Sequence, residues 1–477
     1  MHIEHLQEPN LEFGSGVHID TRFGLMNLGP LDVALPSAPH IIKVGLCGTP
    51  ETIEGVASWI EKCRSEIPAK SSPRFNLFPR FPGFTRDTVL RSEVMMDPRD
   101  QRAVSERLLK PSLIRRNDSE GLDIIVAMFL EELTQITQGS PVDVLICAPP
   151  SELDRGAASE IDHEDDDKNA PSKADNLPTF HNLLKARAMN LRKPLQLIFP
   201  ATYGVHVPKN RRGDRQLQDE ATRAWNFHVA LYYKAGGRPW RLVREPTNFT
   251  TCFVGISFYE SADQARLLTS MAQVFNERGH GVIVRGASPK KSEEDRRPHL
   301  AQQDASNLLS SALLQYKSEH RTLPARVVVH KSSGFNSDEI VGFTGAMKDM
   351  GIESGDLVSM DHSWTRLFRK GAYPPLRGSL WITDNGPHFL YTKGSVEFYS
   401  AYPGLYVPHP IEYKIAWGDD TPRQVAREIL ELTKMNWNTT QFDNGEPITL
   451  HAAKQVGSIL KYAEEDAVIE PRYCYYM

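Results

Sequence analysis

His181 and Lys185 stand four residues apart in FHNLLKARAMNLRK, so on a helix they share one face and can approach a single anion together. Gln196 follows in the next apolar run, PLQLIFPATY, and Lys234 closes a later helix-favouring stretch, RQLQDEATRAWNFHVALYYKAGG. Lysine supplies point charge to a phosphate, a glutamine amide donates a hydrogen bond, and a histidine can donate or stack on a base. Alone, such a group is more often no more than a solvated helix face. A second feature is FVGISFYES, an apolar run of strand length that breaks into hydroxyls and a carboxylate. It places Ser257 where an enzyme would be expected to deliver an acid. A third is EIDHEDDDKNAPSKADN, too charge-dense to bury an apolar face and read as a solvated loop, with a carboxylate metal cluster as the alternative.

Alternating elements position these residues. HIIKVGLCGTPETIEGVASWIEKC reads as a buried strand, a glycine turn and a helix, and GLDIIVAMFLEELTQI as a helix leading into VDVLICAPP, a continuous apolar run typical of a parallel sheet. The helix at His181 and the strand at Gln196 follow, and Gly236 and Gly237 end the helix at Lys234. This order predicts a small doubly wound α/β domain, with a boundary near Trp240. Beyond it, RLLTSMAQVFNERGHGVIVRG is ambiguous: Ser261 and Gln264 form a possible capping box and the apolar spacing favours a helix, whereas ERGHG before VIV suggests a hairpin. A helix near Pro298 to Tyr316, the strand ARVVVHKSS, a helix capped by Asn336 or Ser337, short strands over about 374 to 416 and two amphipathic helices complete the chain.

A chain of 477 residues is too long for one core, so two domains are expected. The net charge of -5 excludes a globally basic nucleic-acid binder and leaves only local basic surfaces. Cys47, Cys63, Cys147, Cys252 and Cys474 form no C-x-x-C pair, which predicts reduced, packed thiols and no zinc site. With neither a leader-like start nor a spanning apolar run, a soluble cytoplasmic protein without membrane contact is expected.

HNLLKARAM with PLQLIFP, then WNFHVALYYKAGGRPW, CFVGISF, VVVHKSSGF and NWNTTQFDNGEPITLHAAKQVG resemble, in order and spacing, the MID and PIWI domains of Argonaute proteins over roughly residues 38 to 477. With no room for N-terminal and PAZ domains, the chain resembles a short prokaryotic Argonaute. The resemblance implies a linker-like connector over 1–37, a Rossmann-like MID domain over 38–240 and a ribonuclease H-like PIWI domain over 241–477. In the family an aromatic or His, a Lys, a Gln and a late Lys hold the guide's 5′ phosphate, and the matching residues are His181, Lys185, Gln196 and Lys234. Many relatives carry a further Lys where this chain has Ala230. They often compensate with a divalent metal, which implies a structural magnesium held by the Met477 carboxylate and Asn226. The tail YCYYM could equally be packed on the core.

PIWI domains of active relatives use carboxylates to hold two metals that clamp a phosphodiester. Ser257 and Ser332 stand where two of those acids would be, Ala452 near the last, with His451 beside it, and the glutamate finger would lie near His299 or Leu300. A hydroxyl cannot neutralise two divalent cations, so the resemblance implies a binder without catalytic residues. The rival nuclease would use Glu260, Asp263 or Asp338, and a further rival is a standalone blocking protein. Lys209 to Arg215 and the LFRKG segment with Arg369 and Lys370 would contact a guided duplex. The implied partners are a small guide RNA, a single-stranded DNA target from plasmid or phage, and an APAZ subunit carrying a sirtuin-like or TIR effector. That effector would deplete NAD in cell defence.

Overall fold

The computed structural model of the chain describes residues 2–154, 179–204, 218–243, 249–261, 267–275, 283–286, 288–291, 297–370, 374–399, 402, 407–441, 445–463 and 469–477. The acidic run, Asp263 and the Lys209–Arg215 segment lie outside them.

The first 37 residues are not a connector. They form β1 (His2–His5), β2 (Leu11–Phe13), β3 (Gly16–His18) and α1 (Thr21–Leu28), the helix capped by Asp20, which accepts from the Arg22 and Phe23 amides. Between β1 and β2, Glu8 pairs with the buried cations Arg377 and Lys434, each at 2.8 Å. Burial pushes the Glu8 carboxyl up, but these two charges outweigh it and hold it below its ordinary value. A glycine- and proline-rich composition suggested a linker; buried charge pairing makes the segment a strap.

The first α/β unit runs β4 (Ile41–Gly48), α2 (Pro50–Lys62), β5 (Glu93–Ala103), α3 (Glu106–Ile114), α4 (Ser119–Gly139), β6 (Val144–Ala148), α5 (Phe180–Ala188), β7 (Leu195–Leu197), α6 (Pro200–Tyr203) and α7 (Glu220–Lys234). Its four strands are all parallel, in the order β5-β4-β6-β7. Successive β6 residues serve opposite cores: Val144 and Ile146 meet α2 and α7, while Leu145 and Cys147 meet α4 and α5. A strand buried on both faces has to be apolar throughout, which is why VDVLICAPP is legible. The β5 segment, EVMMDPRDQRA, is an edge strand of mixed polarity and carries no such signal.

The second unit contains β8 (Arg241–Leu242), β9 (Thr251–Glu260), β10 (Leu267–Phe275), β11 (Ile283–Arg285), β12 (Lys290–Lys291), β13 (Pro298–His299), α8 (Gln302–His320), β14 (Arg326–Lys331), α9 (Ser337–Asp349), β15 (Ser354–His362), β16 (Ser379–Ile382), β17 (His388–Leu390), β18 (Ile411–Gly418), α10 (Pro422–Leu432) and α11 (Ile448–Leu460). Nine strands form one sheet in the order β1-β16-β17-β18-β15-β14-β9-β10-β11, so the strap supplies its edge. β2 pairs with β8, tying the strap to the start of this unit as well. The helical periodicity after Ser261 is overruled: β10 returns antiparallel along β9, because the apolar run satisfies its backbone by pairing with a neighbouring strand.

β14 is central, with β9 and β15 parallel on either side. Val327 and Val329 pack toward α8 and α9, and Val328 toward α10. α11 lies on β9 and β10, its first turn seated over Gly255. A Cβ there would stand 2.1 Å from the Thr449 carbonyl oxygen, so only glycine allows the contact. Gly255→Ala is therefore expected to cost roughly 1–3 kcal/mol by overpacking. Thermal unfolding checks this against Gly345→Ala, where an added Cβ meets nothing within 4 Å and stability should hold or rise.

Candidate nucleic-acid interface

α5, β7 and α7 bring the four predicted anion-binding residues together. Thr179 caps α5 by accepting from the Asn182 amide, which sets His181 and Lys185 one turn apart. Lys234, in the last turn of α7, donates to Gln196 Oε1 at 2.8 Å. Lys185 is 2% exposed, and its Nζ has no hydrogen-bond partner among the described residues. Burial first, then the Lys234 charge, lowers the Lys185 ammonium well below its ordinary range. Burial likewise brings Lys234 down to about 7. His181, bonded to Asn182 Oδ1 at 2.8 Å, is pushed down to about 3 by burial and then by Lys185 and Lys234, so its imidazole is neutral. The tail is packed on the core, with Tyr473, Tyr475, Tyr476 and Met477 buried, and it brings Cys474, whose thiol burial pushes up to about 11, close to both lysines.

Other buried cations contrast with this pair. Arg22, Arg326, Lys331, Arg377 and Lys434 each face a carboxylate. Among the described residues, Lys185 and Lys234 face none. An unpaired buried charge is costly, and an anion entering between two such groups removes the cost. The same arrangement repels a hard cation. Asn226 is also committed elsewhere, its Oδ1 accepting from the Thr440 amide at 2.8 Å and hydroxyl at 2.9 Å. The residues here fit a phosphate, and Asn226 does not have its oxygen free for the expected magnesium. No group of three or more His, Cys, Asp or Glu side chains among the described residues could hold a metal.

The second predicted cluster sits at one end of the larger sheet. Parallel pairing of β14 with β9 ends at Lys331↔Ile256, so the next residue on each strand is Ser332 and Ser257. Between them and the core, Lys331 donates to Glu339 Oε2 at 2.7 Å and to the Gly334 carbonyl at 2.8 Å, and lies 5.3 Å over the rings of both Phe258 and Phe335. Glu339 also accepts from the Leu300 amide and bonds the His299 ring, each at 3.0 Å. His299 and Leu300 are thus held beneath the sheet end by a glutamate from α9. Ala452 is fully buried on α11, and His451 beside it is half-buried. A cavity of about 290 Å³ opens at Ser257, lined by Glu260, Ser261, Lys454, Ser458 and Lys461 among others. Asp338 is exposed in the first turn of α9. Lys454 is paired with Glu446, and Glu260 is the one carboxylate among the described residues of the lining, whereas two divalent cations would need several.

The sequence matches no protein-family model and no curated protein. Solved structures do match. The Argonaute of Clostridium butyricum, bound to a guide DNA and a 19-mer target DNA, matches over 98% of this chain and 54% of its own, with a TM-score of 0.64 and 15% identity. The chain has the fold of an Argonaute. Drosophila Piwi matches over 100% of this chain and 56% of its own, with a TM-score of 0.57 and 12% identity. Aa-Ago with externally bound siRNA matches over 99% and 56%, with a TM-score of 0.56 and 13% identity. The chain thus spans about half the length of these structures.

Within this Argonaute fold, sequence reasoning missed Lys331, Glu339, Lys454 and Lys461. A lysine interrupting VVVHKSS, and a glutamate three residues after the cap Asn336, were available as signals for the first two. The pocket lysines carry a pH signature. An unfolded lysine titrates near roughly 10.4. With the folded value depressed, the penalty is full below the folded pKa and fades as pH rises toward the unfolded one. Lys185→Met should accordingly raise the melting temperature at pH 7, by roughly 2–5 °C. That gain should shrink toward pH 10 in a pH series of thermal melts.

Proposed function

We propose that this protein is a guide-loaded sensor: it binds a 5′-phosphorylated small RNA and recognises complementary single-stranded DNA without cutting it. The observation that carries the reading is the register that sets Ser257, within β9, beside Ser332, just past the end of β14, where a cutting PIWI domain needs carboxylates. The unpaired Lys185 and Lys234 support the guide end. Their charges and the Gln196 amide would hold the terminal phosphate, and neutral His181 would donate to it or stack on the first base. Sequence would be read by the guide's own base pairing.

In this reading the output is made elsewhere. Duplex in the cleft favours one arrangement of two subunits and shifts an APAZ-containing partner, sirtuin-like or alternatively TIR, toward an active state that depletes NAD. The setting is the cytoplasm of a cell defending itself against plasmid or phage. A guided nuclease is the second reading, favoured by one observation: Glu260 lines the cavity at Ser257.

Loaded with a 5′-phosphorylated guide and given labelled complementary DNA with manganese, the protein is expected to retain the strand intact. A guide-directed cut would establish the nuclease instead. Lys185→Ala with Lys234→Ala should remove most of the preference for phosphorylated over unphosphorylated guides, measured by competition binding. Purification of the native complex, followed by NAD measurement on target addition, tests the partner.

A further inference from the structure

Residues 364–370, WTRLFRK, leave β15 at the end of the sheet that carries Ser332, since β15 runs parallel to β14 with Lys331 opposite Ser359. Exposure along the segment alternates with a period of two. Trp364, Arg366, Phe368 and Lys370 are exposed, and Thr365, Leu367 and Arg369 are half-buried. The exposure of the two rings is extreme for their type, 76% for Trp364 and 89% for Phe368. A period of two is that of an extended strand, so one face presents ring, cation, ring, cation. Were the run fully extended, at ~3.3 Å per residue, Trp364 and Phe368 would be separated by roughly 13 Å, with Arg366 between them in sequence.

The backbone beneath this face is fastened. The Ser363 amide donates to the Pro410 carbonyl at 3.2 Å, the Thr365 amide to Ser363 Oγ at 3.1 Å, and the Leu367 amide to the hydroxyl of fully buried Tyr391 at 2.6 Å. Arg366 braces itself on the Ser363 and Thr365 carbonyls at 3.2 and 3.1 Å. Among the described residues none of Arg366, Arg369 and Lys370 forms an ion pair. A core has no use for rings held out in water. Three cations in a seven-residue run that itself holds no acid argue against a purely apolar partner and for a polyanion.

We propose that this ridge is a stacking contact for a single nucleic-acid strand, Trp364 and Phe368 each taking a base face while Arg366 and Lys370 meet the phosphates. Stacking tolerates any base, which suits a protein whose sequence reading is left to a guide. The inference rests on the reading of the protein as a nucleic-acid binder and adds the place where an unpaired strand is held.

The test follows tryptophan emission as the difference between wild type and Trp364→Phe, with oligo(dT) added to the free protein and complementary DNA added to the guide-loaded protein. Both strands should quench the Trp364 signal. Trp364→Ala with Phe368→Ala should weaken DNA binding by roughly tenfold per ring. Arg366→Ala with Lys370→Ala should instead reduce the salt dependence of binding. Trp364 and Phe368 are exposed, so their substitution should leave the melting temperature unchanged. If the guide loads through its 5′ phosphate yet neither strand quenches Trp364 and affinities are unchanged, the ridge assignment is wrong. It is equally overturned if the ring substitutions release a co-purifying protein subunit and leave DNA binding intact. If no guide loads while oligo(dT) still quenches Trp364, the ridge stands and the guide-loaded sensor falls.

Discussion

Arg326 opens β14 with its guanidinium between Asp356, at 2.7 and 3.1 Å, and Glu428, at 2.6 and 3.1 Å; Lys331 closes the same strand against Glu339. A strand in the middle of a nine-stranded sheet has no solvent at either face, so a charge at its ends must be paired within the protein. The partners come from different elements: Asp356 from β15, Glu428 from α10 and Glu339 from α9. The two ends of one strand thereby fix a neighbouring strand and a helix on each face. Removing one member of such a pair would leave the other as an uncompensated buried ion, at a cost of about 3–5 kcal/mol. The positions of Ser257, Ser332 and the ridge after β15 all follow from where β14 is held.

Glu339 shows how much one buried carboxylate can organise. It caps α9 through a reciprocal exchange with Asn336, anchors the ammonium of Lys331 and fixes the chain at His299 and Leu300. The end of the sheet is consequently held in place from below, and among the described residues the cavity there carries one carboxylate, Glu260, beside Lys454 and Lys461, with Lys454 paired to Glu446. Lys185 and Lys234 follow the opposite rule. Where every other buried cation named above is matched, these two are left unmatched at a cost to stability, the kind of local inconsistency that marks a binding site.

Much of the architecture was legible because burial on both faces demands apolar runs: β4, β6, β9 and β14 stand out in the sequence for that reason. Spacing also placed His181 over Lys185. What misled was local. The apolar run of β10 has helix-like spacing, the strap has the composition of a linker, and β5 is too polar to announce itself.

The alternation of helices and strands, the serines at 257 and 332 and the types of residue in the anion pocket could be read from the sequence alone, since these depend on local periodicity and identity. Only the tertiary structure decided which cations are paired, because pairing joins residues as distant as Glu8 and Lys434. It alone built the strap into the sheet, committed Asn226 to Thr440 and turned WTRLFRK from a basic loop into an ordered row of rings and charges. Hydrogen bonds and ion pairs across hundreds of residues are chosen by the packing of the whole chain, and no window of sequence contains them.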